Sequence, residues 1–308
     1  MGCMPKHKAK LILNPNADLG RAWREAAALR PIVEGYGGAD WTGTVYPTHA
    51  TELALQAAEE GYELVVAVGG DGTAHEVLNG LMQVPLERRP RFSVLPLGSG
   101  NDFAHSLGIQ HHAEQAIHQI FSGNSHRVDV GSYRDNLGRQ EFWGNALGIG
   151  FDATATIRSR RFVHLRGFLI YLLAVLQTIV LNHEAPLLHV RSDTQSWDEE
   201  MMMLVLCNGD REGGGFHVAP DALNSDGALD YAGVCRVSRL MMLRLLPEVM
   251  NGTHGRFKQV RMGQFHTMDI QSDRPLRVHL DGEIYADFST DVRQISVEIH
   301  PGALELSG

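Results

Sequence analysis

A glycine-rich loop between a buried strand and a helix constrains this chain more than any other feature. The apolar residues 64–68 run directly into Gly69-Gly70-Asp71-Gly72-Thr73, and a helical pattern follows. A continuous apolar run bounded by glycines is typical of a strand buried on both faces of a parallel sheet. The loop then lies at the carboxyl end of that strand, where the N–H groups of the next helix can bind a phosphate. A tight turn without a ligand is the alternative interpretation.

The residues of the loop itself favour an anion site. Thr73 and Glu76 have the spacing of a capping box, which predicts that the helix begins at Thr73. The three glycines remove side chains that would block an anion, and Asp71 adds a carboxylate that can hold a metal ion or a hydroxyl group.

Strands alternate with helical patterns throughout the first 130 residues. The predicted strands are 10–13, 41–46, 64–68 and 92–97, and the second glycine loop, Gly98-Ser99-Gly100-Asn101-Asp102, follows the last of them. Alternating strands and helices indicate right-handed crossovers and a parallel sheet. We therefore expect the polar loops after Leu13, Val68 and Leu97 to meet at one sheet edge, in an α/β nucleotide domain spanning residues 1–130.

After about residue 130 the pattern changes to short segments separated by turns. They cover residues 140–147, 187–191, 201–207, 228–234, 265–270, 276–280 and 292–299, and they alternate in part between apolar and polar positions. This is typical of antiparallel strands and predicts a second, β-sandwich domain over residues 131–290. Residues from about 291 to 308 are candidates to return to the first domain.

The composition is that of a globular protein of a reducing compartment. The formal charge of -9 argues against general nucleic-acid binding, which requires a basic surface. Cys3, Cys207 and Cys235 are scattered and odd in number, so neither a disulfide framework nor a zinc ribbon is expected. The basic residues before the first strand lead into too short an apolar run for a signal peptide, and we expect a cytoplasmic protein.

The most apolar stretch, residues 168–181, is shorter than the roughly 20 residues of a membrane span and contains Gln177 and Thr178. A buried or amphipathic helix is the better interpretation. A basic segment precedes it, which is typical of a protein that touches a lipid surface. A core helix with a solvated basic start is the alternative. The basic residues are Arg158, Arg160, Arg161, His164 and Arg166.

Several other motifs are weaker. Residues 148–153 fit the dinucleotide pattern GxGxxA, but no acidic residue occurs in 154–183 to bind a ribose, and a Walker A loop is absent. The histidines at 111, 112 and 118 are expected on the surface. The glycines at 213–215 indicate either a close backbone approach or a flexible hairpin. Asp281-Gly282-Glu283 follows a strand and offers a general base beside a second carboxylate, although the same sequence is a common hairpin turn.

Taken together, these motifs resemble the diacylglycerol kinase catalytic-domain family, most closely its soluble bacterial lipid kinases, which are relatives of sphingosine and ceramide kinases. The resemblance covers nearly the whole chain. GGDGT at 69–73 is shared with NAD kinases, whereas its combination with PLGSGNDFA at 96–104 is highly specific. The other matching motifs are GIGFD at 148–152, APDA at 219–222 and DGE at 281–283.

The resemblance implies an ATP- and Mg²⁺-dependent kinase with its active site in a cleft between an α/β domain and a β-sandwich domain. It implies that Glu283 accepts the proton of the acceptor hydroxyl, with Asp281, Asp71, Asp102 and Asp129 as nearby acids. The implied nucleotide contacts are Asn14, Pro15, Thr44, Gly69, Gly70, Asp71, Gly72, Thr73, Ala74, His75, Ser99, Asn101 and Asp102. The implied structural magnesium site is Asp226 with the carbonyl groups of Leu223 and Ala228. The chain departs from the family at Asn16-Ala17-Asp18, where a Ser-Gly or Ala-Gly pair is usual.

Two alternatives stay open at this point. A soluble-substrate kinase of the NAD kinase type would share the first glycine loop, and a non-catalytic lipid-binding regulator would share the whole fold. The acceptor is also open among diacylglycerol, phosphatidylglycerol, a sphingoid base and a polyprenyl alcohol. We expect a lipid substrate met transiently at a membrane surface and no nucleic-acid partner, while assembly as a homodimer stays open.

Overall fold

The structure is a computed structural model that describes residues 8–162 and 168–308. Cys3, Lys6, His164 and Arg166 lie outside this range. The chain divides into two compact units, Met1–Val128 with Gly302–Gly308, and Asp129–Pro301. Parallel strands in the first unit and antiparallel strands in the second confirm the predicted fold class.

The first unit is an α/β unit. Its parallel strands run side by side in the order β2, β1, β3, β4. Its elements are β1 (Ala9–Leu13), α1 (Ala17–Gly20), α2 (Ala22–Gly35), β2 (Asp40–Gly43), α3 (His49–Glu59), β3 (Leu64–Gly69), α4 (Asp71–Met82), a 3₁₀ turn (Leu86–Arg88), β4 (Arg91–Pro96), α5 (Asp102–Ser106) and α6 (Ala113–Ile120).

The register of these strands brings their carboxyl ends together. Leu13 pairs with Gly43 on one side and with Val68 on the other, and Gly69 pairs with Pro96. All six residues of β3 are buried, as its continuous apolar run predicts. The expected meeting of the loops after Leu13, Val68 and Leu97 is therefore confirmed.

Helix α4 begins two residues earlier than the capping-box spacing predicts. Its first residue is Asp71, and no side chain caps it. The carboxylate of Glu76 instead accepts hydrogen bonds from the N–H groups of Thr48 (2.9 Å) and Ala50 (3.1 Å) at the start of α3. The prediction of a local cap at Thr73 was wrong because the neighbouring helix, packed against α4, presents better-placed donors to Glu76.

The second unit is built mainly of antiparallel strands. Its elements are β5 (Ser125–Asp135), which begins in the first unit, β6 (Gln140–Trp143), β7 (Ala146–Gly150), α7 (Phe151–Ser159), α8 (Phe168–Leu181), β8 (Leu187–Ser192), β9 (Ser196–Cys207), β10 (Leu229–Cys235), α9 (Arg239–Met250), a 3₁₀ turn (His254–Arg256), β11 (Val260–Phe265), β12 (Thr267–Ser272), β13 (Val278–Leu280), β14 (Glu283–Ala286) and β15 (Gln294–Ser307).

Strand β9 links the two layers of this unit. Its residues 196–200 pair with β8, whereas residues 201–207 pair with β7 and β10. Apolar side chains from both layers fill the space between them, and the largest fully buried ones include Trp143, Tyr133, Tyr231 and Phe265. This arrangement is the predicted sandwich, with residues on the inner faces forming one core.

Helix α8 covers the apolar stretch singled out in the sequence. Its buried residues are Ala174, Val175, Thr178 and Ile179, so one face packs onto the unit and the rest is partly exposed. Within the described residues, no helix has the length and apolar character needed to cross a membrane.

Strand β15 serves both units. Its first half pairs with β12, and its Leu306 pairs with Phe92 of β4 in the first unit. Leu304, Leu306 and Ser307 are buried there, and the Ser307 hydroxyl donates to the carbonyl of Ile120 (2.9 Å).

Candidate active site

The two glycine loops of the first unit pack directly against each other. A Cβ on Gly98 would lie 2.9 Å from the backbone N of Gly70 and 2.8 Å from Asn101 Oδ1, closer than real side chains allow. Asn101 adopts a left-handed conformation (φ 58°) and closes its loop, because its amide accepts from Gly98 N (2.9 Å) and donates to Gly98 O (2.8 Å). The glycines at 70 and 98 are therefore required for the close approach of the loops.

Two carboxylates flank these loops. Asp71 Oδ1 accepts from the N–H of Phe103 (2.9 Å), which ties the start of α4 to α5. The Oδ2 atoms of Asp71 and Asp102 both lie within 4 Å of the point where a Cβ of Gly100 would stand. Two acidic oxygens beside exposed backbone N–H groups suit a phosphate bound together with a cation.

The remaining predicted nucleotide contacts lie at the same edge of the sheet. The N–H of Asn14 donates to Val68 O (3.0 Å), and that of Thr44 donates to Leu13 O (2.8 Å). Pro15 follows Asn14, and Ser99 is exposed at the tip of its loop. Gly72, Thr73, Ala74 and His75 form the first turns of α4, where the last three are buried. The structure thus brings every predicted nucleotide contact to this edge.

In the Asp281-Gly282-Glu283 motif of the second unit, Asp281 and Gly282 form a two-residue hairpin turn between β13 and β14, and Glu283 is the first residue of β14. Asp281 (φ 49°) and Gly282 (φ 84°) both have positive φ, which is the geometry of a type I′ turn. The buried carboxylate of Asp281 accepts three backbone N–H groups, those of Gly144 (2.9 Å), Asn145 (2.8 Å) and Ala146 (3.1 Å). Asp281 therefore holds the turn against the start of β7.

Glu283 is the accessible carboxylate of this turn. Its side chain is 47% exposed, and its Oε2 pairs with Arg160 (2.7 Å). The same guanidinium donates to Gly282 O (3.2 Å), so one arginine of the predicted basic segment orients the turn.

A cluster that the sequence did not reveal lies behind the turn. His279 Nε2 is 2.6 Å from Asp152 Oδ2 and 3.5 Å from Glu212 Oε1, and all three side chains are buried. The Tyr171 hydroxyl donates to Asp152 and lies 3.0 Å from Glu212 Oε1. On its other side the imidazole meets the turn, because the N–H of Gly282 points at His279 Nδ1 (3.2 Å).

The charges of this cluster compensate one another. Burial would lower the pKa of His279, but the Asp152 and Glu212 carboxyls outweigh burial and raise that pKa to about 10. Burial would likewise raise the pKa of Asp152, but the imidazolium holds it below its usual value. For Glu212, burial and the neighbouring Asp152 raise the pKa. These shifts favour an ion pair between Asp152 and His279.

The cluster leaves no room for a side chain at Gly148, the first glycine of the GxGxxA pattern. Gly148 lies directly opposite His279 in the β7–β13 pair. A Cβ on Gly148 would overlap Asp152 Oδ2 and His279 Nε2. Strand β7 is antiparallel to both of its neighbours, so the motif is not at a parallel βα turn. The interpretation against a dinucleotide site agrees with this geometry.

An apolar pocket, partly open to solvent, adjoins the cluster within the second unit. Helices α8 and α9 and the facing strands supply its walls. Asp152, Tyr171 and Glu212 are its polar residues, and the others are Phe151, Val175, Ile179, Met202, Met203, Phe216, Val218, Val234, Met242, Leu245, Leu246 and Val249. The glycines at 213–215 are a close backbone approach: Gly214 and Gly215 lie against Phe168 at the start of α8.

The acidic loop between β9 and β10 packs on Asp129. Asp129 Oδ2 accepts from Gly227 N (2.8 Å), and Asp129 N donates to Asn224 O (2.7 Å). Asp226 and Asp230 are both within reach of the Gln264 amide, at 3.4 and 3.3 Å. Burial, with the Asp226 carboxylate nearby, raises the pKa of Asp230 to about 6. Carboxylate and carbonyl oxygens are the ligands of hard cations, and the magnesium site at Asp226, Leu223 and Ala228 stays a prediction.

Comparison with known proteins identifies the family. Residues 8–133 match the diacylglycerol kinase catalytic domain, and residues 145–308 match the YegS C-terminal NAD kinase β-sandwich-like domain. The chain belongs to the diacylglycerol kinase family. A YegS-like protein of Chromohalobacter salexigens, named a probable lipid kinase, is 31% identical over 75% of this chain and 73% of its own length. The Bacillus subtilis diacylglycerol kinase is 26% identical over 90% and 89%.

Solved structures share the fold of this family member. A crystal structure described as a diacylglycerol kinase of Bacillus anthracis superposes with a TM-score of 0.74 and 20% sequence identity, over 98% of this chain and 96% of that one. The curated relatives are named kinases, and the chain is a kinase of this family.

Proposed function

We propose that the enzyme is an ATP-dependent lipid kinase that transfers the γ-phosphoryl group to a lipid hydroxyl, such as that of diacylglycerol. The observation that carries the proposal is the apolar pocket that adjoins the buried cluster of Asp152, Glu212 and His279 behind the Asp281-Gly282-Glu283 turn. A soluble, highly polar acceptor such as NAD would gain little binding free energy from pocket walls built of Val, Ile, Leu, Met and Phe, because it has little apolar surface to bury.

The nucleotide phosphates are assigned to the glycine loops of the first unit. The backbone N–H groups at the uncapped start of α4 favour an anion there, and the glycines at 70 and 98 let it approach the backbone. Magnesium bound with the phosphates would neutralise their charge, and Asp71 and Asp102 offer the oxygens to hold it. A cation held by these carboxylates, with the backbone N–H groups, would supply the positive charge of the P-loop lysine, which the chain lacks.

Glu283 is assigned as the general base. It takes the proton of the lipid hydroxyl while that oxygen forms a bond to the γ-phosphorus and the bond to the β-phosphate oxygen breaks, which releases ADP and a phosphorylated lipid. Arg160 orients the carboxylate, and Asp281 fixes the turn through its three backbone hydrogen bonds. Phosphoryl transfer depends on positioning and charge neutralisation, so Asp71 should matter as much as Glu283.

The test is transfer from labelled ATP with Mg²⁺ to a panel of micellar lipids and to NAD. We expect a phosphorylated lipid and a loss of at least roughly a hundredfold in rate for Glu283→Gln and for Asp71→Asn. Glu184→Gln is the matched control, because Glu184 is equally exposed (46%) and pairs with Arg277 in the same way. Transfer to NAD alone would refute the lipid assignment, and near-normal rates for Glu283→Gln would refute its role.

Contact with a membrane surface is a second part of the proposal. Arg239 Nε donates to Ile179 O (3.1 Å), which joins the end of α8 to the start of α9. Exposed apolar side chains gather there and form what we call the helix-end patch: Val180, Leu181, Leu240 and Leu243. Arg158 bonds to Asn182 at the edge of this patch. Apolar side chains beside arginines favour an anionic bilayer surface.

Sedimentation with anionic vesicles tests the patch. Leu240 is 79% exposed, so Leu240→Glu should leave the fold intact and reduce vesicle binding. Leu137→Glu, at a residue 51% exposed in the β5–β6 turn, is the control. Equal binding by the two variants would exclude the patch as the membrane contact.

A further inference from the structure

The loop between β2 and α3 contains a strained residue. Thr48 has φ 70° and ψ −3°, in the left-handed region that glycine adopts freely. For a β-branched residue this conformation is an outlier, and Thr48 is the one such case among residues 8–162 and 168–308. Strain of this kind persists only where the surrounding structure enforces it, and it is typical of functional loops.

The local structure of this loop is a tight turn. The N–H of His49 donates to the carbonyl of Tyr46 (3.3 Å), so Pro47 and Thr48 are the two central residues. The angles of Thr48 fit the third position of a type II turn, which requires positive φ and is normally taken by glycine or asparagine. Proline suits the second position. The turn is therefore favourable at Pro47 and unfavourable at Thr48, and it requires support from outside the loop.

Glu76 of α4 provides this support. Its Oε1 accepts from the N–H of Thr48 (2.9 Å), and its Oε2 accepts from the N–H of Ala50 (3.1 Å). A type I turn would relieve the strain by bringing φ of Thr48 to about −90°. That change rotates the peptide between Pro47 and Thr48 by roughly 150–170° and turns its N–H away from Glu76. The hydrogen bond to Glu76 thus holds the turn in its strained form.

Helix capping alone does not account for this arrangement. Helix α3 begins at His49, and the bond from Ala50 N already provides a cap within its first turn. The bond from Thr48 N lies outside the helix and is made by the strained residue itself. One oxygen of Glu76 therefore caps α3, whereas the other fixes the conformation of the loop.

The loop and the helix that supports it both belong to the proposed nucleotide site. Thr44, a predicted nucleotide contact, begins the loop, and its N–H donates to Leu13 O (2.8 Å). Glu76 lies five residues after Asp71, where α4 begins beside the glycine loop. Strand β1 separates β2 from β3, so the two loops are about 10 Å apart along the sheet edge. A nucleotide that contacts both loops depends on their relative position, which Glu76 sets.

We propose that Glu76 is a positioning residue for the nucleotide, because its bond to Thr48 N holds the loop after β2 in the left-handed turn that nucleotide binding requires. The proposal rests on the assignment of the nucleotide to this sheet edge in the proposed function. A left-handed conformation of a non-glycine residue is disfavoured by roughly 5- to 150-fold. Without Glu76 the binding-competent turn becomes a minor population, and the Kd for ATP rises in inverse proportion to that population.

A double-mutant cycle at Glu76 and Thr48 tests the proposal. Glu76→Ala should raise the Kd of a fluorescent ATP analogue about tenfold. Thr48→Gly removes the strain, because glycine adopts the left-handed turn without support. In a Thr48→Gly protein, Glu76→Ala should therefore raise the Kd less than about threefold. Glu76→Ala combined with Thr48→Ala is the matched control: it removes the same side chain but keeps a Cβ, and it should stay about tenfold weaker than the parent protein.

Urea unfolding of the same proteins separates positioning from stability. The loss of unfolding free energy caused by Glu76→Ala should be at least as large with Thr48→Gly as without it, because both hydrogen bonds are lost and no strain is released. Affinity and stability should thus respond in opposite directions. Glu76→Gln keeps one acceptor oxygen, should bind with intermediate affinity, and replaces Glu76→Ala in the cycle if that variant does not fold.

Two outcomes would overturn the proposal. One is an equal loss of affinity from Glu76→Ala with and without Thr48→Gly, which would mean that Glu76 acts on the nucleotide directly or only by capping α3. The other is an affinity that follows stability in every variant. In lipid phosphorylation, Glu76→Ala should raise the KM for ATP by a larger factor than it lowers kcat, whereas a loss of folded enzyme would lower kcat alone.

Failure of this proposal is distinguishable from failure of the proposed function. The binding measurements need no phosphoryl transfer and no lipid. Absence of nucleotide binding by the parent protein would refute the nucleotide site and the role of Glu76 together. Nucleotide binding by the parent protein with equal losses around the cycle would refute only the role of Glu76.

Discussion

Replacing Gly148 by alanine should disrupt the second unit through the buried ion pair. The new Cβ would overlap the two atoms, Asp152 Oδ2 and His279 Nε2, that form the 2.6 Å contact, and it would lie 2.7 Å from His279 Cδ2. Separating a buried pair costs about 3–5 kcal/mol. Alanine recovers up to about 1 kcal/mol because it is less flexible than glycine in the unfolded chain. We expect a net loss of roughly 2–4 kcal/mol in the free energy of unfolding.

Urea unfolding followed by tryptophan fluorescence measures this loss. Trp143 and Trp197 report on the second unit, where both are buried. Gly35→Ala is the control, because Gly35 ends a helix and its Cβ would meet no atom within 4 Å. It should leave stability unchanged or slightly higher.

A mutant cycle isolates the cause. In a protein with both Asp152→Ala and His279→Ala the two side chains that the new Cβ would overlap are gone, so adding Gly148→Ala should cost less than about 1 kcal/mol. Additive losses would refute the explanation by the ion pair. A fall in ATP affinity for Gly148→Ala without a fall in stability would refute it as well, because it would place the nucleotide at the GxGxxA motif.

Three further outcomes follow from the geometry. Gly98→Ala should weaken binding of a fluorescent ATP analogue about tenfold, since it forces the two glycine loops apart. Glu76→Ala should lower the free energy of unfolding by about 0.5–2 kcal/mol in urea titrations, because α3 loses its cap. Without divalent ions, thermal stability should fall as pH rises through about 6, where the folded-state pKa of Asp230 exceeds its ordinary value and its proton is lost. Mg²⁺ affinity, read from the same melting curves, should rise about tenfold per pH unit up to that pKa and then level off, and Asp230→Asn should abolish the dependence.

The sheet edge of the first unit was predictable because its signals are local. Each strand is an apolar run that ends in glycine or asparagine, and parallel topology alone brings such ends together. Leu13, Val68 and Leu95 accordingly lie side by side in one register. The DGE turn was recognisable for the same reason, since its two residues with positive φ suit Asp-Gly.

The buried cluster was not predictable, because its members are distant in sequence. Asp152, Glu212 and His279 come together only through the pairing of β7 with both β13 and β9, and no residue spacing encodes those registers. Two signals were present in hindsight: a histidine between the buried Val278 and Leu280, and an aspartate in an otherwise apolar helix start. The prediction for Glu76 was wrong for the opposite reason. Its spacing fitted a local cap, but its carboxylate accepts hydrogen bonds from the neighbouring helix instead.

Strand β15 has a consequence for how the chain is made. Residues 302–308 belong to the first unit, yet the whole second unit must be synthesised before they emerge. Until Leu306 pairs with Phe92, that edge of β4 stays open, and an open strand edge is a template for pairing with other chains. Nascent chains are therefore exposed to aggregation for as long as the second unit takes to translate, and a product terminated before residue 302 carries a first unit that cannot be completed.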